Sequence, residues 1–450
     1  MKGRLLARRR AGEAATSLAE HRRTYMPPPP STASPRLDLI ETIEQSGLTG
    51  RGGGGFPTAK KLRAVAQGNG PRVVLANGAE SEPASQKDQV LMSREPHLVL
   101  DGAALAAAAV GASEVRIGID RAHTNALFAM RHAVAERLHA EPSAVPVRVF
   151  GTPSRFVTGE ETALVQWMDG GPGVPRGASR RPFERGVSGS PTLVQNVETL
   201  AHMTQIGAFG SGWFRALGTS TEPGTCLVTI TGAVKQPGVI EAPIGTSVSA
   251  LLTAAGGHAE PLSALLIGGF YGTWAPRAVL DAAFSRAGLA PHGANSGAGV
   301  IVALPANACG LSETARVLSW FAAESAGQCG PCVWGLADVA SGFASVATAT
   351  SGRAARPIEP DRQVGPSGQR RRTGVARPAG PTAPDLGTLV RWADDIEGRG
   401  ACRHPDGAVR LLRSALRVFA DDLALHLSGE TCSGGHRRVL TVPTPARAYR

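Results

Sequence analysis

The sequence predicts an α/β protein with a mainly parallel sheet in its first half, a small hairpin-and-helix module after it, and a helical, cysteine-bearing C-terminal region. Three observations carry this. Between residues 72 and 150, short apolar runs such as "RVVLAN" (72–77) and "EVRIGI" (114–119) alternate with helix-length stretches at 97–111 and 121–139, the rhythm of strands joined by helical crossovers. At 225–257 the texture changes to "TCLVTITGAVKQPGVIEAPIGTSVSALLTAAGG", a strand, a Pro-Gly turn, a second short strand and an Ala/Leu helix closed by Gly256 and Gly257. Helical periodicity then dominates 311–346, "LGTLVRWADDIEG" and "AVRLLRSALRVFADDLALHL".

The boundaries follow from composition. Residues 1–35 end in "MPPPPSTASP", a stiff polar stretch without apolar periodicity, and are expected to be a disordered lead-in. Order should begin at "LDLIETIEQSG", where Leu37, Ile40, Ile43 and Glu44 describe a short amphipathic helix stopped by Gly47. Residues 350–385 have almost no large apolar side chains and read as a disordered insert. A first α/β domain is therefore placed at 36–215, the small module at 222–290, a helical domain at 300–430 and a tail at 431–450.

Charge narrows the function. The chain has 450 residues, 42% of them hydrophobic, and a net charge of +11. Residues 1–23 and 353–378 each carry a balance of +5, so the rest is near neutral and a nucleic-acid-binding face is not expected. No apolar run is long enough to cross a bilayer, and the N-terminus lacks the apolar core of a secretory signal. The expectation is a soluble cytoplasmic protein, or one held at the inner face of the cell membrane through partners. Six cysteines are too few for a disulfide framework, and the close pair Cys329 and Cys332 points to metal or redox chemistry.

The most unusual stretch is "TGRGGGGFPTAKKL" (49–62). Four glycines let backbone N–H groups approach an anion, and Lys60 and Lys61 start the next helix, where a cation can pair with phosphate. The spacing matches neither the ATP phosphate loop nor the dinucleotide fingerprint, and a flexible hinge is the competing reading. Three further stretches favour a ligand. "LANGAESEPASQKD" (75–88) puts Asn77, Glu80, Ser81 and Glu82 directly after a strand, where α/β folds place ligand contacts. "RFVTGEETAL" (155–164) sets Glu160 and Glu161 beside Gly159, and "GSPTLVQNVETLA" (189–201) supplies Gln195 and Asn196 among apolar residues. Each alone is equally a helix cap, a solvated carboxylate or a satisfied amide.

In combination, "GRGGGGFPT", "NGAESEPASQKD", "TGEETAL" and "PTLVQNVETLA" resemble, in order and spacing, the flavin-containing, NADH-oxidising F subunit of bacterial complex I and its relatives in NAD-linked hydrogenases and formate dehydrogenases. The resemblance covers about 36–346 and resumes near 386–430. It implies a Rossmann-like FMN/NADH-binding domain, a soluble-ligand-binding β-grasp module and a helical iron-sulfur domain. It further implies that Gly52, Gly53, Gly54 and Gly55 wrap FMN, with Lys61 near its phosphate or ribityl chain and Asn77, Glu80, Ser81, Gly159, Glu160, Gln195 and Asn196 along it. NADH would stack over the flavin, with Phe56 against its adenine side and Glu82 and Glu161 bonding sugar or amide groups. Arg180, followed by Phe183, stands where the family has a nucleotide-contacting Lys. The family's Asp, Tyr and second aromatic are replaced by Ala79, Phe156 and Ala64, and Gln195 replaces one of two adjacent Asn residues.

The segment "ESAGQCGPC" (324–332) resembles the family's "ESCGxCxPC" ligands to a [4Fe-4S] cluster, with Ala326 at the first cysteine position. Cys329, Cys332 and, from "GRGACRHPDGA", Cys402 remain. His404 is the nearest candidate for a fourth ligand, with Cys309 and Cys432 weaker ones, and Cys226 reads as a core residue. A zinc ion on Cys329, Cys332, Cys402 and His404 is the alternative occupant. The resemblance implies an FMN-dependent NADH dehydrogenase that passes electrons to a cluster and on to other redox subunits, a ferredoxin or a quinone-linked membrane complex. The other reading is a non-catalytic flavin-fold scaffold with a lost or zinc-substituted cluster.

Overall fold

The computed structural model describes residues 4–6, 15–25, 35–140, 145–177, 180–347, 385–435 and 437–445. Helices α1 (Leu18–Tyr25), α2 (Pro35–Ser46) and α3 (Thr58–Ala66) precede strand β1 (Arg72–Gly78). The chain continues through α4 (Lys87–Arg94), α5 (Pro96–Val110), β2 (Ala112–Asp120), α6 (Thr124–Ala140) and β3 (Val147–Thr152). Then α7 (Glu161–Met168) and the one-turn α8 (Pro182–Arg185) lead to β4 (Thr192–Asn196), which runs directly into α9 (Val197–Arg215). The four strands form a parallel sheet in the order β3-β2-β1-β4. Val73 to Ala76 of β1 are all buried, as a central parallel strand covered on both faces requires.

The alanines of α5 are what let this layer close. Gly102 lies against the backbone of α9, where a Cβ would stand 1.9 Å from the Leu200 carbonyl oxygen. Ala103, Ala106 and Ala107 beside it are fully buried. Small residues thus bring two helix backbones together, and the Ala-rich run is an interior helix. No helix among the described residues is long and apolar enough to cross a membrane.

The second sheet contains β5 (Thr225–Gly232) and β6 (Gly238–Pro243), then, after α10 (Val248–Ala254), β7 (Leu262–Ile267) and β8 (Thr273–Pro276), and finally, after the one-turn α11 (Arg286–Leu289), β9 (Val300–Pro305). Its order is β6-β5-β9-β7-β8, with β5 and β9 parallel and the other neighbours antiparallel. This corrects the boundary expected at 290: β9 is the central strand, so the module extends to Pro305 and the helical region starts after it. The run "VIVALP" is buried at every position and has no alternation to mark its sheet.

The helical region is α12 (Gly310–Ala323), a π-turn at Pro331–Gly335, α13 (Leu336–Ala347), α14 (Leu386–Ile396), α15 (His404–Val418) and α16 (Ala420–Leu427). It packs on the outer face of the second sheet, where Trp274 of β8 is fully buried and its indole N–H donates to Thr314 Oγ1 at 2.8 Å. The insert expected at 350–385 lies outside the described residues except Asp385, whose carboxylate caps α14 by accepting the Thr388 N–H at 2.7 Å.

Both ends depart from expectation. Within the expected disordered lead-in, Leu5 is fully buried and the Arg4 guanidinium lies 3.6 Å over the Trp213 ring. Helix α1 is fastened by His21 to Asp101 at 2.5 Å and by Leu18 and Tyr25 in the interior. So few apolar anchors, irregularly spaced, leave no period to detect. In the tail, Leu440 is buried and its N–H donates to Glu313 at 2.8 Å.

The contact at Gly102 generates a prediction. Gly102→Val should destabilise the protein by about 1–3 kcal/mol, because neither backbone can yield without opening the layer. Thermal or denaturant unfolding measures it, and an unchanged midpoint would contradict the packing.

Candidate functional site

In a parallel sheet the carboxyl ends of the strands share one edge, and here that edge gathers the polar motifs. Asn77 at the end of β1 pairs in register with Asn196 at the end of β4. The Asn77 amide donates to the Gly159 carbonyl at 2.9 Å, bringing the 155–164 segment to the same edge. Asn196 caps α9 by accepting the Glu198 N–H at 3.0 Å and donates to Asp88 at 2.7 Å. Above it runs the glycine loop. Gly50 N–H donates to the Phe56 carbonyl at 2.9 Å, and Arg51 N–H to Thr199 Oγ1 at 2.9 Å. Gly53 and Gly55 have φ of +98° and +57°, conformations that side chains resist.

The loop also lies close to its neighbours. A Cβ on Gly52 would touch Asn196, and one on Gly55 would lie 1.5 Å from the Arg286 guanidinium of the second unit. Gly54 has no atom within 4 Å of where a Cβ would stand, so it faces open space. Phe56 is 55% exposed beside it. Lys61 reaches back from α3 to Glu161 at 2.9 Å and to the Val194 carbonyl at 3.0 Å.

Several expected ligand carboxylates turn out to be occupied. Glu80, at a φ of +38°, accepts the Ser85 hydroxyl and the Asp88 and Gln89 N–H groups, all at 2.7–2.8 Å, and so caps α4. Removal from water and the nearby Asp88 push its carboxyl to about 7. Glu82 accepts the Phe270 N–H at 3.0 Å and the Ala84 N–H at 3.2 Å, joining the two sheets, and desolvation likewise raises it to about 7. Glu160 caps α7 through the Thr162 and Ala163 N–H groups at 2.9 and 3.0 Å, and burial raises it as well. Helix starts leave N–H groups without internal partners, and a carboxylate just before the helix satisfies them. These residues shape the site, and bonding a sugar would cost them those partners. Ser81 lies against Gly159, where a Cβ would come within 2.2 Å of its hydroxyl. Arg180 is exposed, whereas Phe183 leans on the first core.

Gln195 behaves differently. It is 5% exposed on β4, and its Nε2 has no hydrogen-bond partner. A buried amide donor left unpaired at the carboxyl edge of the sheet is one that a bound acceptor would satisfy. These residues fit FMN.

The sequence motifs do not announce the ion cluster beneath the loop. Lys87 is buried between Asp88 at 2.6 Å and Glu198 at 2.9 Å, and Glu198 also accepts the Leu227 N–H of β5 at 2.9 Å. Burial alone would raise the Glu198 carboxyl, but Lys87 and His202 hold it at about 2. A crevice between the units is lined by Arg51, Lys87, Glu198, Glu222, Cys226 and Arg286. Cys226, expected in the core, is half-buried there. The motif letters "QKD" and "NVET" hold Lys87 and Glu198, yet nothing local pairs residues so far apart.

The cysteines resolve into two sets. Cys329 precedes the π-turn that carries Cys332, and the free Cys332 thiol lies within electrostatic reach of Cys329 and Cys402. Burial pushes the Cys332 thiol to about 12. His404 does not join them. It is 1% exposed, its Nδ1 meets the Tyr271 hydroxyl at 2.7 Å and its Nε2 the Phe321 carbonyl at 2.8 Å. Both ring nitrogens are therefore committed, and burial lowers the ring to about 4, keeping it neutral. Phe156 and Tyr271 pack around it at 5.7 and 5.9 Å. The zinc alternative at this set loses its fourth ligand. Among the described residues, the trio whose ligand atoms all lie within 4.8 Å of one another is Cys309, His426 and Cys432, so Cys309 and Cys432 are not the missing corner either. In a [4Fe-4S] cluster each thiolate holds its own iron, so three sulfurs that neighbour each other without converging on one point fit three of its corners.

Residues 43–205 match the Nuo51 FMN-binding domain and residues 227–267 the SLBB domain. Fold and site thus define a flavin-binding domain joined to an SLBB module. The chain is 30% identical over 410 residues to the second F subunit of the NADH-quinone oxidoreductase of Rhizobium meliloti, covering 88% of this chain and 90% of that protein. It is 30% identical over 407 residues to the corresponding NADH-quinone oxidoreductase protein of Streptomyces coelicolor, covering 88% and 84%. The protein belongs to the family of NADH-quinone oxidoreductase F subunits. Among solved structures it is similar to a chain of NAD+-reducing [NiFe]-hydrogenase in the H2-reduced state, with a TM-score of 0.73 and 27% identity, covering 86% of this chain. It spans 62% of that hydrogenase chain, less than two thirds.

Glu198→Gln should cost about 3–5 kcal/mol by leaving Lys87 undercompensated in the interior. Because the folded carboxyl sits at about 2 against an ordinary 4.5, its stabilisation is present above pH 4.5 and lost as pH falls toward 2. Acid unfolding curves of the variant should therefore be flatter across that window, and parallel curves would contradict the pairing.

Proposed function

We propose that this chain is an electron-input module that oxidises NADH and hands electrons singly to redox partner subunits. The observation that carries the reading is the glycine loop folded over the carboxyl edge of the parallel sheet at Asn196, with the unpaired Gln195 amide on the same strand. It is an FMN-dependent NADH dehydrogenase by family. Bound FMN supplies hydride acceptance and one-electron release, and a [4Fe-4S] cluster supplies the first relay.

The protein's own work is binding and orientation. Gly52 to Gly55 would let main-chain N–H groups approach the flavin, and the unpaired Gln195 Nε2 on β4 would be available to donate to it. Lys61, now shared between Glu161 and the Val194 carbonyl, supplies the cation for a phosphate. The exposed ring of Phe56 offers a stacking face for the nucleotide. Cys329, Cys332 and Cys402 would hold three irons, while Ala326 and the committed His404 leave the fourth corner without a thiolate or imidazole among the described residues. With Glu80, Glu82 and Glu160 engaged by backbone N–H groups, Glu161, whose partner is the Lys61 side chain, is the carboxylate that would serve the nucleotide once Lys61 turns to the phosphate, and Arg180 lies exposed to join it. We further place the chain at the cytoplasmic face, peripheral to a membrane complex or serving a ferredoxin.

Purified protein should be yellow-brown, carry FMN and iron, and bleach at the flavin bands when NADH is added without oxygen. A colourless protein, or flavin that NADH leaves oxidised, overturns the reading. Gly54→Val should leave stability within about 0.5 kcal/mol, since it meets open space, while lowering FMN content at least tenfold. Ala326→Cys should raise iron after aerobic purification from about three to about four per chain, read by metal analysis and by loss of a three-iron electron paramagnetic resonance signal. Equal iron in both proteins would show that another group already holds the fourth corner.

A further inference from the structure

Cys309, His426 and Cys432 form a second ligand set that the flavin and cluster reading does not use. Cys309 closes the β9–α12 connection and caps α12, its sulfur accepting the Ser312 N–H at 3.4 Å. His426 lies in the last turn of α16, and Cys432 lies five residues beyond that helix. All three are buried, at 3%, 4% and 9% exposure. His426 Nε2 stands 4.0 Å from Cys309 Sγ, and the free Cys432 and Cys309 thiols lie within 4.8 Å of each other. The other ring nitrogen of His426, Nδ1, is buried without a partner.

The backbone around the trio is drawn tight. Gly435 N–H donates to the Asn307 carbonyl at 3.0 Å, and Ala308 and Gly435 form a parallel bridge. A Cβ on Gly434 would stand 2.5 Å from the Cys309 nitrogen. Asp422, one turn before His426 on α16, acts electrostatically on both His426 and Cys432.

We propose that Cys309, His426 and Cys432 bind a zinc-class divalent ion, with a water completing four-coordination. In tetrahedral geometry, sulfur at ~2.3 Å and nitrogen at ~2.0 Å from the ion put ligand atoms roughly 3.5–3.8 Å apart. The present ligand atoms all lie within 4.8 Å of one another, so a contraction of about an ångström closes the site. Two thiols and an imidazole select thiophilic borderline ions over magnesium or calcium. Ion binding displaces the two thiol protons to solvent and replaces the long thiol–imidazole contact at His426 Nε2 by coordinate bonds. The ion ties three segments, the start of α12, the end of α16 and the 432–435 loop, and thereby holds the C-terminal segment on the helical region that also carries Cys329 and Cys332.

The full-length protein, expressed with supplemented zinc, tests this by metal analysis together with intact mass. About one zinc per chain is expected in addition to iron, retained after gel filtration. Cobalt substitution of the wild-type protein should give intense visible d–d bands and a thiolate charge-transfer band. Cys432→Ser and His426→Ala should lose zinc and those bands while keeping flavin and iron. Absence of both zinc and the cobalt spectrum in wild-type protein overturns the proposal without reference to any variant. So does a non-reduced mass lower by about 2 Da with Cys309 and Cys432 peptides cross-linked, which would make the pair a disulfide. Zinc lost from Cys329→Ser but retained in Cys432→Ser would place the ion at the other cysteine set and equally overturn it.

Discussion

The arrangement around the flavin site depends on one buried charge. Lys87 stands at the start of α4 with its ammonium sealed between Asp88 and Glu198, and Glu198 stands at the start of α9 with its second oxygen on the backbone of β5. Desolvating such a cation is costly unless its partners are close and their remaining lone pairs are used, and here both conditions hold. The cluster therefore positions two helix N-termini and the second sheet with respect to one another. Asn196 bonds Asp88 directly, which connects the cluster to the carboxyl edge where the glycine loop lies.

A site of this kind is made more by main chain than by side chains. Glycines supply the close approach, and the helix starts that surround them need acceptors for their free N–H groups. The carboxylates of Glu80 and Glu160 meet that need, while Glu82 accepts N–H groups of two turns. The same residue type, just after a strand and just before a helix, is suited to both capping and ligand binding, and the two uses compete for the same oxygens. In this protein backbone N–H groups take most of them, Glu161 is paired with Lys61, and Phe56 and Arg180 stay exposed.

Much of this was legible in one dimension. The β-α alternation of 72–150, the glycine loop and the motifs at 75–88, 155–164 and 189–201 are local patterns, and local patterns report local backbone. The central position of β9 was not legible, because a strand buried on both faces looks the same at the centre of a sheet as at the entry to a helical domain. Nor was the packing of Leu5, Leu18 and Tyr25, since isolated anchors have no period. His404 illustrates the limit well: two residues from Cys402, it looked like a ligand, and only the approach of Tyr271 and Phe321 shows that both nitrogens are spent.

By itself the sequence determined which backbone segments can come close to an anionic cofactor, and which residue types wait beside them. The tertiary structure decided which of those side chains remain free. It also decided the partition of the cysteines, because Cys309 and His426 are 117 residues apart and meet only when α16 folds back across the start of α12. Proximity between distant residues is set by packing of whole helices and sheets, a quantity that no window along the chain contains.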